Sequence, residues 1–278
     1  MTSETLPPGL YIVATPIGNL GDLSPRAAEI LRGVNLVLAE DKRVSAKLLA
    51  HARAKAPMAT YHDHTSEAER DRIVARLGEQ AIALVCDAGT PLISDPGFKL
   101  VRAARSAGHA VHTIPGPSAL IAALTLAGLP TDRFLFAGFL PAKAKARADA
   151  IAEIRPIRAT VVLYESGPRL GDTLGALRDG LGERDAAVIR EITKLHEETV
   201  TGTLGDLAAR YGDAGPKGEI VIVVGPPADA DEASDEDLDA ALDEAMKTLS
   251  PSRAAAEVSA SLGIPRKRAY ARALERAK

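Results

Sequence analysis

The chain has 278 residues, of which 46% are apolar and 26% charged, a composition typical of a folded protein with a substantial core. The formal net charge of −3 and the 3% of aromatic residues argue against a polycation and against a surface of many stacked bases. The single cysteine, Cys86, excludes an internal disulfide and a cysteine-based zinc site. We expect a cytoplasmic protein, because the first residues lack a signal-peptide pattern and no apolar run approaches ~20 residues.

Short apolar runs alternate with amphipathic segments in the first part of the chain. This alternation predicts an α/β domain with a mostly parallel sheet over residues 1–116. Ser24-Pro25 and Ser66-Glu67-Ala68-Glu69 have the residue types that begin helices. The four apolar runs that predict buried strands are 10–14, 34–39, 81–86 and 110–114.

The alternation continues after a predicted linking helix at 117–127, which indicates a second α/β domain over residues 117–228. An acidic segment at 229–240 follows and predicts a solvated linker or a helix start. Residues 241–278 are basic and predict a helical extension, with two helices joined at Gly263 as in a helix-turn-helix. The strands predicted in the second domain are 134–139, 160–164, 187–190 and 219–224, and its helices lie near 143–154, 168–178 and 203–211.

Three loops rich in glycine and proline follow predicted strands of the first domain. They lie at 14–20, 87–91 and 115–119. Ligands bind at the carboxyl ends of strands in parallel α/β sheets, and glycine lets the backbone approach a ligand closely. Any one of these loops is also compatible with an ordinary tight turn, but three at the same sheet edge indicate a ligand site.

The fingerprints of other nucleotide-binding and metal-dependent proteins are absent from the sequence. No Gly-x-x-x-x-Gly-Lys-Ser/Thr loop occurs, and Gly180-Leu181-Gly182 lacks both the third glycine and the preceding strand of a dinucleotide site. Val200 stands where the zinc-protease helix motif of His196-Glu197 would need a second histidine. The ligand site therefore has to be identified from a longer pattern.

That longer pattern runs from Leu10 to about Gly225 and resembles the tetrapyrrole methylase superfamily, the class III methyltransferases. It is most similar to the branch that methylates a cytidine ribose 2′-oxygen in 16S ribosomal RNA. The resemblance implies two α/β domains with S-adenosylmethionine in the cleft between them, a homodimer, and 16S rRNA as the partner, within the small ribosomal subunit. The motifs that carry it are Ala14-Thr15-Pro16-Ile17-Gly18-Asn19-Leu20-Gly21-Asp22, Ala39-Glu40-Asp41-Lys42-Arg43, His62-Asp63-His64, Asp87-Ala88-Gly89-Thr90-Pro91-Leu92-Ile93-Ser94-Asp95-Pro96-Gly97, Pro115-Gly116-Pro117-Ser118-Ala119, Gly138-Phe139-Leu140-Pro141, Tyr164-Glu165-Ser166 and Arg190-Glu191-Ile192-Thr193-Lys194.

The resemblance also implies which residues hold the cofactor. One position departs from the pattern, because porphyrin-modifying relatives carry Gly-Asp-Pro where this chain has Gly89-Thr90-Pro91. We therefore expect this loop to hold the cofactor mainly through backbone groups. The cofactor-binding residues implied by the matching motifs are Pro16, Ala88, Gly89, Thr90, Ile93, Ser118, Ala119, Glu165 and Ile192.

A ribose hydroxyl is a weak nucleophile near neutral pH, so a positioned base would assist the transfer. We expect Glu191 and Lys194 to flank the acceptor ribose. Lys194 could act as the base if burial lowers its pKa, or it could hold a phosphate. The other candidate bases are Asp22, Glu40, Asp41 and Glu165.

Several charged or polar segments are candidates for RNA contact, and each is also compatible with a solvated surface. The pair of histidines at 62 and 64 is more typical of a polar loop than of a metal site, and we expect no metal. The basic second helix of the extension could lie against phosphates or be a solvated cap. The predicted RNA-binding residues are Asp41, Lys42, Arg43, His62, His64, Arg266, Lys267, Arg268 and Arg272.

Two other functions remain open from the sequence. A methylase acting on a tetrapyrrole carbon would share the fold and the cofactor, although the basic extension and Thr90 argue against it. A non-catalytic RNA-binding protein could have kept the same fold, although the intact loops argue against that. The resemblance favours 2′-O-methylation of rRNA over both.

Overall fold

The computed structural model describes residues 6–212, 215–227, 235–262 and 265–277. The chain divides into two compact units, Met1–Gly225 and Pro226–Lys278. The first unit contains two five-stranded sheets with helices around them, and the described part of the second unit is helical. The predicted class, two α/β domains followed by a helical extension, is confirmed.

The first sheet is entirely parallel and has the strand order β3-β2-β4-β1-β5. Ser24 and Ser66 cap helices as predicted, each accepting a hydrogen bond from a backbone N–H of the first turn. The elements of this half are β1 (Gly9–Val13), α1 (Pro25–Gly33), β2 (Leu36–Ala39), α2 (Lys42–Ala52), β3 (Met58–Thr60), α3 (Glu67–Arg76), β4 (Ala81–Leu84), α4 (Phe98–Ser106), β5 (Val111–Ile114) and α5 (Ala119–Ala127).

Alternate side chains of β1 lie in separate cores on the two faces of this sheet. Tyr11 and Val13 belong to one apolar cluster, while Leu10 and Ile12 belong to another. This two-sided burial explains why the strands are continuously apolar in sequence. The connections after β1 and after β4 lead in opposite directions along the sheet, so the crevice where such folds bind ligands lies between these neighbouring strands.

The second sheet is mixed and has the order β6-β7-β10-β8-β9. Only β6 and β7 pair in parallel, and the other neighbours are antiparallel. Helix α5 packs against one face of this sheet, and the later helices cover the other. The elements are β6 (Phe134–Phe139), α6 (Ala144–Ile154), β7 (Thr160–Ser166), α7 (Leu170–Leu181), β8 (Asp185–Arg190), β9 (Glu198–Thr203), α8 (Leu204–Tyr211) and β10 (Glu219–Val224).

The eight predicted strands are all present, and the structure adds β3 and β9. Both added strands lie at a sheet edge. Edge strands bury little, so β3 with three residues and the polar β9 lack the apolar signal that identifies a strand. Strand β7 also continues to Ser166, two residues beyond its predicted end, and carries Glu165 within the sheet.

The second unit consists of α9 (Asp235–Met246), α10 (Pro251–Leu262) and α11 (Arg266–Arg276) around a small apolar core. Helix α9 begins at Asp235, inside the acidic segment 229–240, for which the sequence left both a solvated linker and a helix start open. Residues 228–234 and Gly263 lie outside the described residues. None of the helices that the structure describes combines the length and the apolar character needed to cross a bilayer.

Candidate active site

The three glycine- and proline-rich loops meet at the carboxyl edge of the first sheet, as predicted. Thr15 and Gly89 exchange backbone hydrogen bonds of 2.8 and 3.1 Å, which join the loops after β1 and β4 across the crevice. The Thr90 hydroxyl donates to the carbonyl of Pro117 at 3.0 Å and joins the middle loop to the third. Because hydrogen bonds tie each loop to the next, the site is a preformed part of the fold.

The middle loop contains several backbone conformations that most residues avoid. Gly89 has φ +84°, and a Cβ atom there would lie 3.3 Å from Cγ2 of Ile17. Leu92 and Ser94 have φ +75° and +62°. Such conformations cost free energy and occur where the fold holds a ligand site in shape. The loop therefore presents backbone groups, and Thr90 is engaged with Pro117 rather than offering a free side chain.

A cavity of about 360 Å³ opens between these loops and the second sheet, and we call it the first cavity. Eight of the nine predicted cofactor-binding residues line it, and Pro16 does not. Glu165 is the only lining residue of β6, β7 and β10 to which the sequence assigned a cofactor role, because nothing in the sequence marks which other side chains of these strands face the first sheet. The lining residues are Ile17, Asp87, Ala88, Gly89, Thr90, Ile93, Ser94, Asp95, Ser118, Ala119, Phe139, Tyr164, Glu165, Ser166, Ile192, Gly218, Glu219, Ile220 and Val221.

The first cavity carries carboxylates, and no lysine, arginine or histidine is among the described residues that line it. Glu165 is buried and fully engaged, since it accepts hydrogen bonds from the Ser166 backbone and the Thr173 hydroxyl at 2.8 and 2.7 Å. Phe139 and Tyr164 add aromatic surface, with ring centroids 5.6 Å apart. The cavity thus suits a ligand that has a positive charge and a flat apolar group.

Acidic side chains cluster where strands of the first sheet end. Burial, together with the nearby carboxylates of Glu40, Asp87 and Asp63, raises the pKa of Asp95 to about 6, against a hydrogen bond with Cys86 that lowers it. Burial also raises the pKa of Glu40, again with Asp87 and Asp63 contributing. These groups disfavour one another's ionised forms, so an added positive charge beside them would be stabilised.

A second cavity, of about 250 Å³, adjoins the first. Ile17, Asp87, Ala88 and Glu219 line both cavities. The second cavity contains Pro16 of the first loop, which therefore lies beside the first cavity rather than within it. The complete lining is Thr15, Pro16, Ile17, Gly18, Leu20, Val44, Ser45, Lys47, Leu48, Cys86, Asp87, Ala88, Lys194 and Glu219.

Of the two predicted catalytic residues, Lys194 lines the second cavity and Glu191 lines neither. The ammonium group of Lys194 donates to Glu191 at 3.0 Å and to Glu219 at 2.8 Å. Burial alone would lower the pKa of Lys194, but these hydrogen bonds outweigh it and hold the pKa above its usual value. The low pKa that a lysine base requires is therefore absent, and the structure leaves Lys194 as a cation in the wall of the second cavity.

Glu191 holds two residues of the cavity walls in place, Lys194 and Glu219, although it lines neither cavity itself. Its carboxylate accepts a hydrogen bond from the Glu219 backbone at 3.0 Å. This hydrogen bond is the main cause that lowers the pKa of Glu191, and the hydrogen bond from Lys194 lowers it as well. Glu191 and Thr193 have φ +51° and +66°, so this turn is held in a strained shape. Gly18 is needed here, since a Cβ atom on it would lie 2.5 Å from Cγ of Lys194. The turn and the first loop thus pack tightly together.

The predicted RNA-binding residues lie in several environments. Asp41 caps α2 and pairs with Arg43 at 2.7 Å, while Lys42 is exposed beside them. His62 and His64 are exposed in one loop, with their ring centroids 6.2 Å apart. The described residues include no cluster of metal-ligating side chains. In the second unit Arg272 pairs with Asp239 of α9 at 2.6 Å, whereas Arg266 and Lys267 are exposed, and Arg268 is half-buried.

Residues 9–208 match the family described as tetrapyrrole (corrin/porphyrin) methylases. The chain belongs to this family. The match spans the first sheet, all three loops and four of the five strands of the second sheet, so the predicted enzyme class, a methyltransferase, is confirmed. Residues 232–277 match a second family, described as the RsmI C-terminal HTH domain, in agreement with the predicted helix-turn-helix extension.

Relatives similar over almost the whole chain carry one name. A protein of Erythrobacter litoralis named ribosomal RNA small subunit methyltransferase I is 52% identical over 274 residues, which cover 99% of this chain and 97% of that protein. A protein of Escherichia coli O157:H7 with the same name is 43% identical over 277 residues, covering 96% and 94%. These matches include the helical extension as well as the two sheets.

Solved structures share the fold of the first unit. Uroporphyrin-III-C-methyltransferase from Thermus thermophilus is similar with a TM-score of 0.55 and 24% identity, covering 78% of this chain and 93% of that one. Diphthine synthase has a TM-score of 0.61 and 17% identity, covering 78% and 89%. At these identities the likeness supports the fold alone.

Proposed function

We propose that this chain transfers a methyl group from S-adenosylmethionine to the ribose 2′-hydroxyl of a cytidine in 16S rRNA of the small ribosomal subunit. The observation that carries the proposal is the match, over both sheets and the helical extension, to relatives named for small-subunit rRNA methylation. A tetrapyrrole methylase would need no such extension. The ribose position and the cytidine rest on the motif resemblance described above.

The residues of the first cavity fit S-adenosylmethionine. When bound, this cofactor supplies a methyl group on a positively charged sulfur. The carboxylates of Asp87, Asp95 and Glu219 complement that charge, and no described basic side chain in the cavity opposes it. Gly89 allows close backbone approach, and Phe139 offers an aromatic surface to the adenine.

The acceptor hydroxyl must lose a proton as it gains the methyl group, and a positioned carboxylate would accept that proton. Asp87 and Glu219 are the carboxylates that line both cavities. Glu219 is paired with Lys194, whereas Asp87 accepts a weak hydrogen bond of 3.3 Å from the Asp41 backbone. We therefore assign the proton acceptor to Asp87. Lys194, held by Glu191 and Glu219, is placed to hold a phosphate of the RNA.

The test is methyl transfer from tritiated S-adenosylmethionine to small subunits and to free 16S rRNA, both isolated from a strain that lacks the enzyme. We expect incorporation into one nucleotide, and nuclease digestion should then release labelled 2′-O-methylcytidine. Label in a base rather than a ribose would contradict the ribose assignment. Absence of label in either RNA, together with transfer to a tetrapyrrole, would overturn the proposal. Comparing the two substrates also decides whether the assembled particle is needed.

The helical extension contributes RNA affinity under this proposal. Its last helix exposes Lys267, Tyr270 and Leu274, which recur at helical spacing on one face. A lysine beside an exposed aromatic ring suits contact with a phosphate and a base. The homodimer and the cytoplasmic location stay predictions, and sedimentation of the purified protein checks the first of them.

A further inference from the structure

The second cavity has features that the cofactor does not require. One side of α2 forms its wall through Val44, Ser45, Lys47 and Leu48, at the spacing that places side chains on one helix face. The first loop contributes further lining residues, which include Leu20. None of these α2 positions belongs to the motifs that indicated the cofactor.

Apolar side chains are exposed in this cavity. Leu20 and Val44 are 42% and 41% exposed, although both line a concave site. Exposed apolar surface inside a cavity favours a ligand with a flat or apolar face, which it would shield from water. A nucleic-acid base has such a face.

The polar groups of the cavity suit the rest of a nucleotide. Lys47 is exposed and forms no ion pair with any residue that the structure describes, so its charge is available to a phosphate. Ser45 is 2% exposed, and its hydroxyl has no hydrogen-bond partner among the described residues. A buried hydroxyl without a partner costs free energy, which a polar group entering the cavity would offset.

The position of the cavity fits an acceptor. Because Ile17, Asp87, Ala88 and Glu219 line both cavities, a group in the second lies directly beside a ligand in the first. We propose that the second cavity binds the target nucleoside of the RNA, with the base against Leu20 and Val44 and the adjoining phosphate at Lys47. This inference rests on the proposed function, since it takes RNA as the acceptor.

The test compares variants of the cavity with matched controls outside it. Val44→Ser and Lys47→Gln alter the cavity, while Leu126→Ser and Lys99→Gln change an equally exposed leucine, 39% exposed, and an exposed lysine that line neither cavity. We expect each cavity variant to raise the KM for small-subunit RNA about tenfold, with the Kd for S-adenosylmethionine changed less than twofold by calorimetry. The control variants should leave both quantities unchanged.

Two outcomes would overturn the inference. If the cavity variants weaken S-adenosylmethionine binding and leave the KM for RNA unchanged, the second cavity is an extension of the cofactor site. If they change neither quantity, or change the KM no more than the controls do, the cavity has no role in acceptor binding.

A second measurement separates this inference from the proposed function. NMR saturation transfer with cytidine 5′-monophosphate reports nucleotide binding without any methylation, using protein saturated with S-adenosylhomocysteine. We expect a signal with the wild type and with Lys99→Gln, and loss of the signal in Lys47→Gln. Binding of this probe in an enzyme that methylates no rRNA would refute the proposed function and retain the nucleoside site. No wild-type signal, combined with unchanged KM values in the variants, would refute the site alone.

Discussion

The two adjoining cavities share a wall but differ in charge. The first is lined by carboxylates, with no basic side chain among its described residues, whereas the second contains Lys47 and Lys194. Under the proposed function, a cationic methyl donor and an anionic RNA acceptor would need opposite surroundings, and the two adjoining cavities differ in that sense. Under that proposal, the residues that line both cavities would contact the donor and the acceptor at once.

Asp87 tests that shared wall most strongly. Because it lines both cavities and is assigned as the proton acceptor, Asp87→Asn should lower kcat about 100-fold. The Kd for S-adenosylmethionine, measured by calorimetry, should change by less than about threefold. A large change in that Kd with kcat preserved at saturation would place Asp87 on the donor side alone.

Gly89 tests the donor side. An alanine there meets Cγ2 of Ile17 at 3.3 Å and has to adopt φ +84°. Gly108→Ala is the matched control, because Gly108 has φ +79° and no atom within 4 Å of an added Cβ. Both variants should lose about 1 kcal/mol of stability from backbone strain. Only Gly89→Ala should weaken S-adenosylmethionine binding, by about tenfold, and equal Kd values in the two variants would contradict a cofactor role for this loop.

Lys194 tests the acceptor side. Lys194→Ala leaves Glu191 and Glu219 without the cation that they share and makes the wall of the second cavity more negative. We expect the KM for RNA to rise about tenfold, with a weaker dependence on salt, while the Kd for S-adenosylmethionine stays within about twofold. Unchanged RNA methylation in steady-state assays would remove Lys194 from the site.

The helical extension should act on the acceptor alone. Truncation after Pro227, or Lys267→Ala within the full chain, is expected to weaken RNA binding in filter assays, by about threefold for the single variant, without changing cofactor affinity. Arg272→Ala should differ, since Arg272 pairs with Asp239 and holds two helices of this unit together. It should lower the urea midpoint of this unit, and a stable variant with a pure loss of RNA affinity would return Arg272 to the RNA surface.

Asp95 gives the smallest expected effect and concerns the first cavity only. Its folded pKa of about 6 lies above the ordinary value of 3.8, so the folded protein keeps a proton that the unfolded chain releases between these values. The stability from that proton is complete below about pH 4 and is lost as the pH rises through 6. In Asp95→Asn the urea midpoint of unfolding should change less between pH 4 and 6 than in the wild type. Asp149→Asn, at an exposed position of α6, should show the same pH dependence as the wild type.

The two cavities also differ in how many of their lining residues could be predicted from the sequence. The three loops could be predicted because buried parallel strands are continuously apolar and glycine and proline follow them directly. Eight of the nine residues predicted to bind the cofactor line the first cavity, and their role there stays a prediction. The α2 positions that line the second cavity could not be predicted, because nothing distinguishes Val44 and Ser45 from other residues of an amphipathic helix.

The pKa of Lys194 is another property that could not be predicted from the sequence. The strand pattern predicts that a lysine follows β8, but the hydrogen-bond partners of that lysine are Glu191 nearby and Glu219 on a different strand. Likewise the sequence predicts Arg272 as an RNA-binding residue, whereas in the structure Arg272 pairs with Asp239, 33 positions away. Strand pattern, turn chemistry and the order of motifs are local and are determined by the sequence. Ion pairs, cavity walls and pKa values depend on contacts between distant segments, so they follow from the tertiary structure and not from any local pattern.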